Sequence, residues 1–152
     1  MLDDWPRTFE DFAVGDRMAT GSLTVTEEEI DAFCRSFDPQ PHHLDVDIAD
    51  ASLLGGVAAS GWHTAALTMR LIVDGKILGG SPIIGVGVQN LRWPKPLRAG
   101  DRLRAEAEVV KATPSRSGAP RGTLLLNIKT FDQHDEIVIE MDTTVVLPTR
   151  GQ

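Results

Sequence analysis

Asp38 and His43 stand five residues apart in Asp38-Pro39-Gln40-Pro41-His42-His43, a stretch braced by two prolines. A carboxylate and an imidazole that handle one water molecule must each come within about 2.6–3.2 Å of its oxygen. Fixed proline φ angles hold such a pair in place, so little freedom is lost at each turnover. An ordinary Asp carboxyl, with a pKa of ~3.9, is a poor base at neutral pH, so the pair implies a partly desolvated site. Gly61 is the third candidate, because it stands where an apolar helical stretch begins. The first N–H groups of a helix lack internal partners and carry the positive end of its dipole. A glycine there lets a ligand approach the backbone closely. Its amide can polarise a substrate carbonyl, an interaction worth about 3–4 kcal/mol where such donors have been removed.

Other polar residues invite chemistry and have plainer readings. Ser60 precedes Gly61, but no Gly-x-Ser-x-Gly surrounds it, so a helix N-cap is preferred over a nucleophile. His63 falls in the first turn of the same helix, where it either faces a pocket mouth or packs; packing is the favoured reading. His42, His43, Asp45 and Asp47 suggest a metal. An extended segment sends adjacent histidines to opposite sides, and no second cluster supplies ligands at a usual spacing, so no metal is expected. His134 lies in a polar turn and is expected in solvent.

These residues need a scaffold. A short strand is read before Val25. Thr26 and Glu29 form a capping-box pattern, and Ile30, Phe33, Cys34 and Phe37 mark one apolar face of the helix that follows. Pro39 stops that helix by Asp38. Residues 38–45 read as stiff and non-helical, with a short helical turn from about Asp47 to Leu53. A second helix, about Trp62 to Leu78, is apolar nearly all round, which predicts burial. Period-two alternation then gives four strands, about 83–93, 102–113, 122–132 and 136–147. The simplest way to bury all of this is an α+β domain with one antiparallel sheet wrapped around the long central helix. That is the layout of a hot-dog fold, and it is read over 1–152 with short tails at about 1–8 and 148–152.

Composition sets limits. The 152 residues carry 15 Lys+Arg against 22 Asp+Glu, a net charge of −7, so no broad basic face for nucleic acid is expected. A single cysteine, Cys34, excludes an internal disulfide, and its place on the apolar helical face predicts an inert buried thiol. Trp62 to Val73 is too short to span a bilayer and contains Arg70, so no membrane association is expected. The N-terminus lacks a basic region followed by an apolar stretch, so it is not read as a secretory leader, and the expected location is the cytoplasm.

Phe37-Asp38-Pro39-Gln40-Pro41-His42-His43 resembles the overhang motif of the MaoC-like dehydratases and (R)-specific enoyl-CoA hydratases, Gly-Asp-x-Asn-Pro-aliphatic-His, with Ala49 in the place of a following alanine. Ala59-Ser60-Gly61 and the stretch from Gly87 to Asp101 match later landmarks, so the resemblance spans about residues 9–147. Phe37, Gln40 and His42 depart from the motif, and Met69 stands where some hydratases carry a serine. The resemblance implies a hot-dog dimer that hydrates a trans-2-enoyl-CoA, or dehydrates a 3-hydroxyacyl-CoA, without a cofactor. Asp38 and His43 would be the catalytic pair and Gly61 the oxyanion donor. Ser60, His63, Arg92 and Lys95 would contact substrate, the last two through coenzyme A phosphates. Trp62 and Trp93 read as core or dimer interface. The alternatives are a hot-dog acyl-CoA thioesterase and a non-catalytic acyl-thioester-binding module.

Overall fold

The computed structural model describes residues 7–80 and 82–151. The N-terminal stretch read above for a leader lies largely outside them. The elements are β1 (Arg17–Thr24), α1 (Glu27–Phe37), α2 (Pro41–Leu44), α3 (Val46–Ala51), α4 (Gly61–Asp74), β2 (Ile84–Arg92), β3 (Arg102–Pro114), β4 (Arg121–Phe131) and β5 (Ile137–Pro148). The five strands form one sheet in the order β1-β3-β4-β5-β2, with every neighbouring pair antiparallel.

The period-two pattern decides which face meets the helix. In β3, Leu103, Ala105, Ala107 and Val109 are buried, while Arg102, Arg104, Glu106 and Glu108 face outward or lie half exposed. β4 and β5 contribute Leu124, Leu126, Ile128, Val145 and Leu147, and α4 lays Leu71 and Ile72 onto them. Thr64 and Thr68 are buried on the same helical face. The Thr68 hydroxyl donates to the Thr64 carbonyl at 2.9 Å and lies 2.7 Å from the Thr130 hydroxyl of β4, so these two buried hydroxyls are paired.

Several boundaries differ from the sequence reading. α1 begins with the expected capping box, the Thr26 and Glu29 side chains each accepting the other residue's N–H. Residues 38–45 are not wholly extended, because Pro41 opens the helical turn α2, where its missing N–H is no loss. α3 runs Val46–Ala51, its first turn capped by the Asp45 carboxylate, which accepts from Ile48 N at 3.0 Å. α4 ends at Asp74 instead of Leu78; Gly75 caps it, and Lys76, Gly79 and Gly80 take positive φ, which turns the chain away. Nor is α4 buried all round within one chain. Trp62, Met69 and Val73 are exposed, the last two beside a hollow they share with Leu126, Ile128 and Val145 of the sheet. Cys34 is fully buried, as expected, and burial pushes its thiol pKa up. Among the described residues no helix is long and apolar enough to cross a membrane.

The threonine pair makes an asymmetric prediction. In Thr130→Val, Thr68 keeps its bond to the Thr64 carbonyl, and the expected loss is about 0.5–1.5 kcal/mol. Thr68→Val leaves the buried Thr130 hydroxyl without its side-chain partner, and the expected loss is about 1–3 kcal/mol. Urea unfolding of both variants checks the order; equal losses, or the reverse order, would refute it.

Candidate active site

α2 and the start of α4 meet at the site. α1 stops at Phe37, with Asp38 as its C-cap. Pro39 and Pro41 then fix the turn into α2, which buries His43. The His43 ring lies within 2.7 Å of the Ala58 carbonyl through Nδ1. A carbonyl only accepts, so Nδ1 carries the proton, and in the neutral ring Nε2 is left as an acceptor. That Nε2 stands 3.3 Å from Asp38 Oδ2. In that tautomer two acceptors stand side by side in the pocket, and a water that donates one hydrogen to each relieves their mutual repulsion.

The other Asp38 oxygen is also spoken for. The Gln40 side-chain amide donates to Oδ1 at 2.7 Å. This hydrogen bond, followed by that of the Ser60 hydroxyl, holds the Asp38 carboxyl below its ordinary pKa against the opposing effect of burial. Asp38 is therefore an anion at neutral pH, desolvated without being neutralised. Ser60 is the α4 N-cap, accepting from Trp62 N at 3.3 Å, which bears out the capping reading.

Asp38, Gln40, His42, His43, Ser60 and Gly61 line one pocket of about 360 Å³, walled by Trp62, Trp93 and the segment Lys95-Pro96-Leu97. Gly61 opens α4, so its N–H belongs to the unpartnered first turn. What crowds Gly61, however, is Trp93. A Cβ at position 61 would lie 2.6 Å from the indole Cε2, and the indole N–H donates to the Gly61 carbonyl at 2.8 Å. Within this chain, then, the close approach that requires glycine is made by a tryptophan. A polar hollow of about 330 Å³ on the outer sheet face is lined by Arg17, Glu106, Glu108 and Lys129 among others, and holds no comparable acid–base pair.

The remaining candidates fall elsewhere or are engaged. His63 is outside the pocket, buried and stacked on Phe33 with ring centroids 4.6 Å apart; its Nδ1 has no partner, and burial lowers its pKa. The structure thus places it in packing. Arg92 is exposed, lies outside the pocket and reaches its cross-strand partner Glu140 at 3.3 Å. Lys95 lines the pocket, but its ammonium is held by Asp132 and Glu136, which raises its pKa beyond the ordinary lysine range. His134 is exposed, as read. Trp62 and Trp93 are both partly exposed at the pocket, edge to face at 5.2 Å and 84°, and neither is core. The motif departures are accommodated: Phe37 is 74% exposed, Gln40 binds Asp38, His42 is a pocket wall, and Met69 is exposed away from the pair.

Sequence reasoning missed the Ala58 carbonyl, the Gln40 contact and the Trp93–Gly61 contact. The Asp-x-Gln spacing carries a local signal for the second, since short polar side chains often bond two residues away. The other two span 15 and 32 positions, with no periodicity to announce them.

Fold and site together define a class: a sheet-wrapped helix of the hot-dog type, with an acid–base pair beside the helix start. The chain belongs to the MaoC-like family, whose profile, described as MaoC like domain, matches residues 11–124. The MaoC-like dehydratase from Rhodospirillum rubrum is 44% identical and superposes with a TM-score of 0.88, covering 96% of this chain and 99% of that one. The (R)-hydratase from A. caviae involved in PHA biosynthesis is 28% identical, with a TM-score of 0.70 over 91% of this chain and 99% of that one. The 3-hydroxyacyl-thioester dehydratase Z of Mycobacterium tuberculosis is 29% identical over 131 residues, 81% of this chain and 87% of that protein.

Replacing Gln40 by Leu removes the strongest influence holding the Asp38 carboxyl pKa down. Its titration midpoint should therefore move up toward the ordinary range of about 3.9. Carboxyl-carbon NMR titration of wild type and Gln40→Leu measures this; coincident midpoints would show that the amide does not set the charge of Asp38.

Proposed function

We propose that the protein adds water to the C2–C3 double bond of a trans-2-enoyl-CoA thioester to give an (R)-3-hydroxyacyl-CoA, or runs the reverse dehydration. The observation that carries the reading is the 3.3 Å approach of Asp38 Oδ2 to His43 Nε2 in a lined pocket. A water donating to both acceptors presents its lone pair to C3. As the C–O bond forms, the pair takes a proton from the water, the C2–C3 electrons move toward the thioester carbonyl, and the pair then returns that proton to C2 of the enolate, which restores the carbonyl and the free pair. The Gly61 N–H, at the positive end of α4, is the donor for the developing oxyanion. The similarity to the A. caviae (R)-hydratase and the M. tuberculosis 3-hydroxyacyl-thioester dehydratase supports the reaction type, and the former supports the stereochemistry. No cofactor enters these steps. The pocket's polar lining from Ser60 and its proximity to Lys95 serve substrate placement, while His63 and Arg92 are left without that role.

A second copy of the chain completes the assembly. Among the described residues β2 is an edge strand whose outer side has no strand partner, and Ile84, Val86 and Val88 on it are exposed. Trp62, Met69 and Val73 of α4 add further exposed apolar surface. An apolar edge strand of this kind pairs with another chain unless it is covered or charged. The reading is a homodimer that joins along β2.

Two experiments bear on these statements. Crotonyl-CoA should lose its enoyl absorbance without releasing free thiol, and Asp38→Asn or His43→Gln should each cut that rate by about a hundredfold or more while leaving the fold intact by circular dichroism. Free thiol would indicate a thioesterase, tight binding without turnover a binding module, and near-normal rates in either variant would remove the pair from catalysis. Separately, light scattering after gel filtration should give a dimer for the wild type and a monomer for Val86→Lys; a monomeric wild type refutes the β2 pairing.

A further inference from the structure

Trp93 is held from several directions. Just before it, Arg92 is paired across the sheet with Glu140. Two residues after it, the Lys95 ammonium is bound by Asp132, whose carboxylate is fully buried and also accepts from the backbone N–H groups of His134 and Glu136 at 2.9 and 3.0 Å. Two residues further, the Leu97 carbonyl accepts from Ala59 N at 2.8 Å, which ties the arm to the chain just ahead of Ser60 and Gly61. A tryptophan carried on so constrained an arm has little room to swing.

Its hydrogen bond and its ring both bear on one residue, Gly61, whose carbonyl belongs to the peptide that follows the Gly61 N–H. The indole N–H donates to the Gly61 carbonyl at 2.8 Å, and the ring occupies the volume that any side chain at position 61 would need. Trp62 packs edge to face on the other side of the indole. Gly61 by itself is the residue with the widest conformational freedom, which is a poor property for a hydrogen-bond donor that must point at one place. A donor lowers a barrier most when it is already aimed and nothing reorganises as charge develops.

We propose that Trp93 is the positioning residue for the Gly61 amide, fixing the orientation of the α4 start through its indole N–H and ring so that the amide meets the thioester carbonyl. The proposal rests on the hydration reading given above. It assigns the Lys95–Asp132 ion pair to the same purpose, as the anchor of the arm that carries Trp93. It also explains the glycine as a pairing of shapes: position 61 is bare because position 93 is large.

The test separates positioning from simple wall-building. Trp93→Phe keeps a ring and removes the donor, and kcat on crotonyl-CoA should fall about tenfold while KM stays within about threefold, the pattern of an interaction needed only in the transition state. Gly61→Ala should lower the melting temperature, and adding Trp93→Ala should recover stability by relieving the clash without recovering turnover. An 15N spectrum gives a readout free of activity: the Gly61 amide signal should shift or broaden in Trp93→Phe. A kcat within twofold of wild type in Trp93→Phe, recovered turnover in the double variant, or an unmoved Gly61 signal would each overturn the proposal. A wild-type protein inert toward every enoyl thioester would instead overturn the hydration reading, and the catalytic half of this proposal would fall with it, while the amide spectrum would still decide whether Trp93 holds the peptide.

Discussion

The hydrogen bond between His43 Nδ1 and the Ala58 carbonyl is the constraint on which the site depends. It joins α2 to the segment that leads into α4, and it determines which ring nitrogen can act. With the proton fixed on Nδ1, Nε2 is left as an acceptor 3.3 Å from Asp38 Oδ2. Without that carbonyl the imidazole would be free to rotate or to change tautomer, and the two acceptors would no longer define one water position. The bond is buried, so solvent does not compete for it.

The carboxylate faces the opposite problem, since burial alone would protonate it. Gln40 and Ser60 answer this by hydrogen bonding to the charged form. Their contribution lets a desolvated Asp remain an anion, which a proton acceptor requires. It also shows why Gln40 can stand in the asparagine place of the motif: the longer side chain still reaches Oδ1 at 2.7 Å. Phe37, in the place of the motif glycine, costs the site nothing visible because its ring is turned to solvent and rests on Phe33.

Positive charge around the pocket is largely spent on architecture. Lys95 is bound by two carboxylates, Arg92 by one, and Arg98 donates to the Val57 and Leu54 carbonyls, bracing the loop between α3 and α4. In a chain with a net charge of −7, cations near a cleft look like ligands for phosphate when read in one dimension. In three dimensions each already has an acidic or carbonyl partner elsewhere in the fold.

The sequence by itself determined most of the elements and singled out Asp38 and His43, whose side chains the fold brings within 3.3 Å of each other. Period-two alternation in β3, the Thr26–Glu29 cap and the proline-braced turn are short-range signals, and the physics behind them acts over a few residues, so their positions were legible to within a residue or two. The end of α4 was less so, because Ile77 and Leu78 are buried like helix residues although the glycines on either side turn the chain. Only the tertiary structure decided that Ala58 orients His43, that Trp93 fills the space over Gly61, that His63 packs on Phe33, and that Lys95 and Arg92 are paired. Hydrogen bonds and ring contacts of this kind join atoms brought within a few ångströms by the closing of the sheet around the helix. Sequence separation holds no record of that distance, because side-chain chemistry sets what a residue can do and the fold sets which neighbour it does it with.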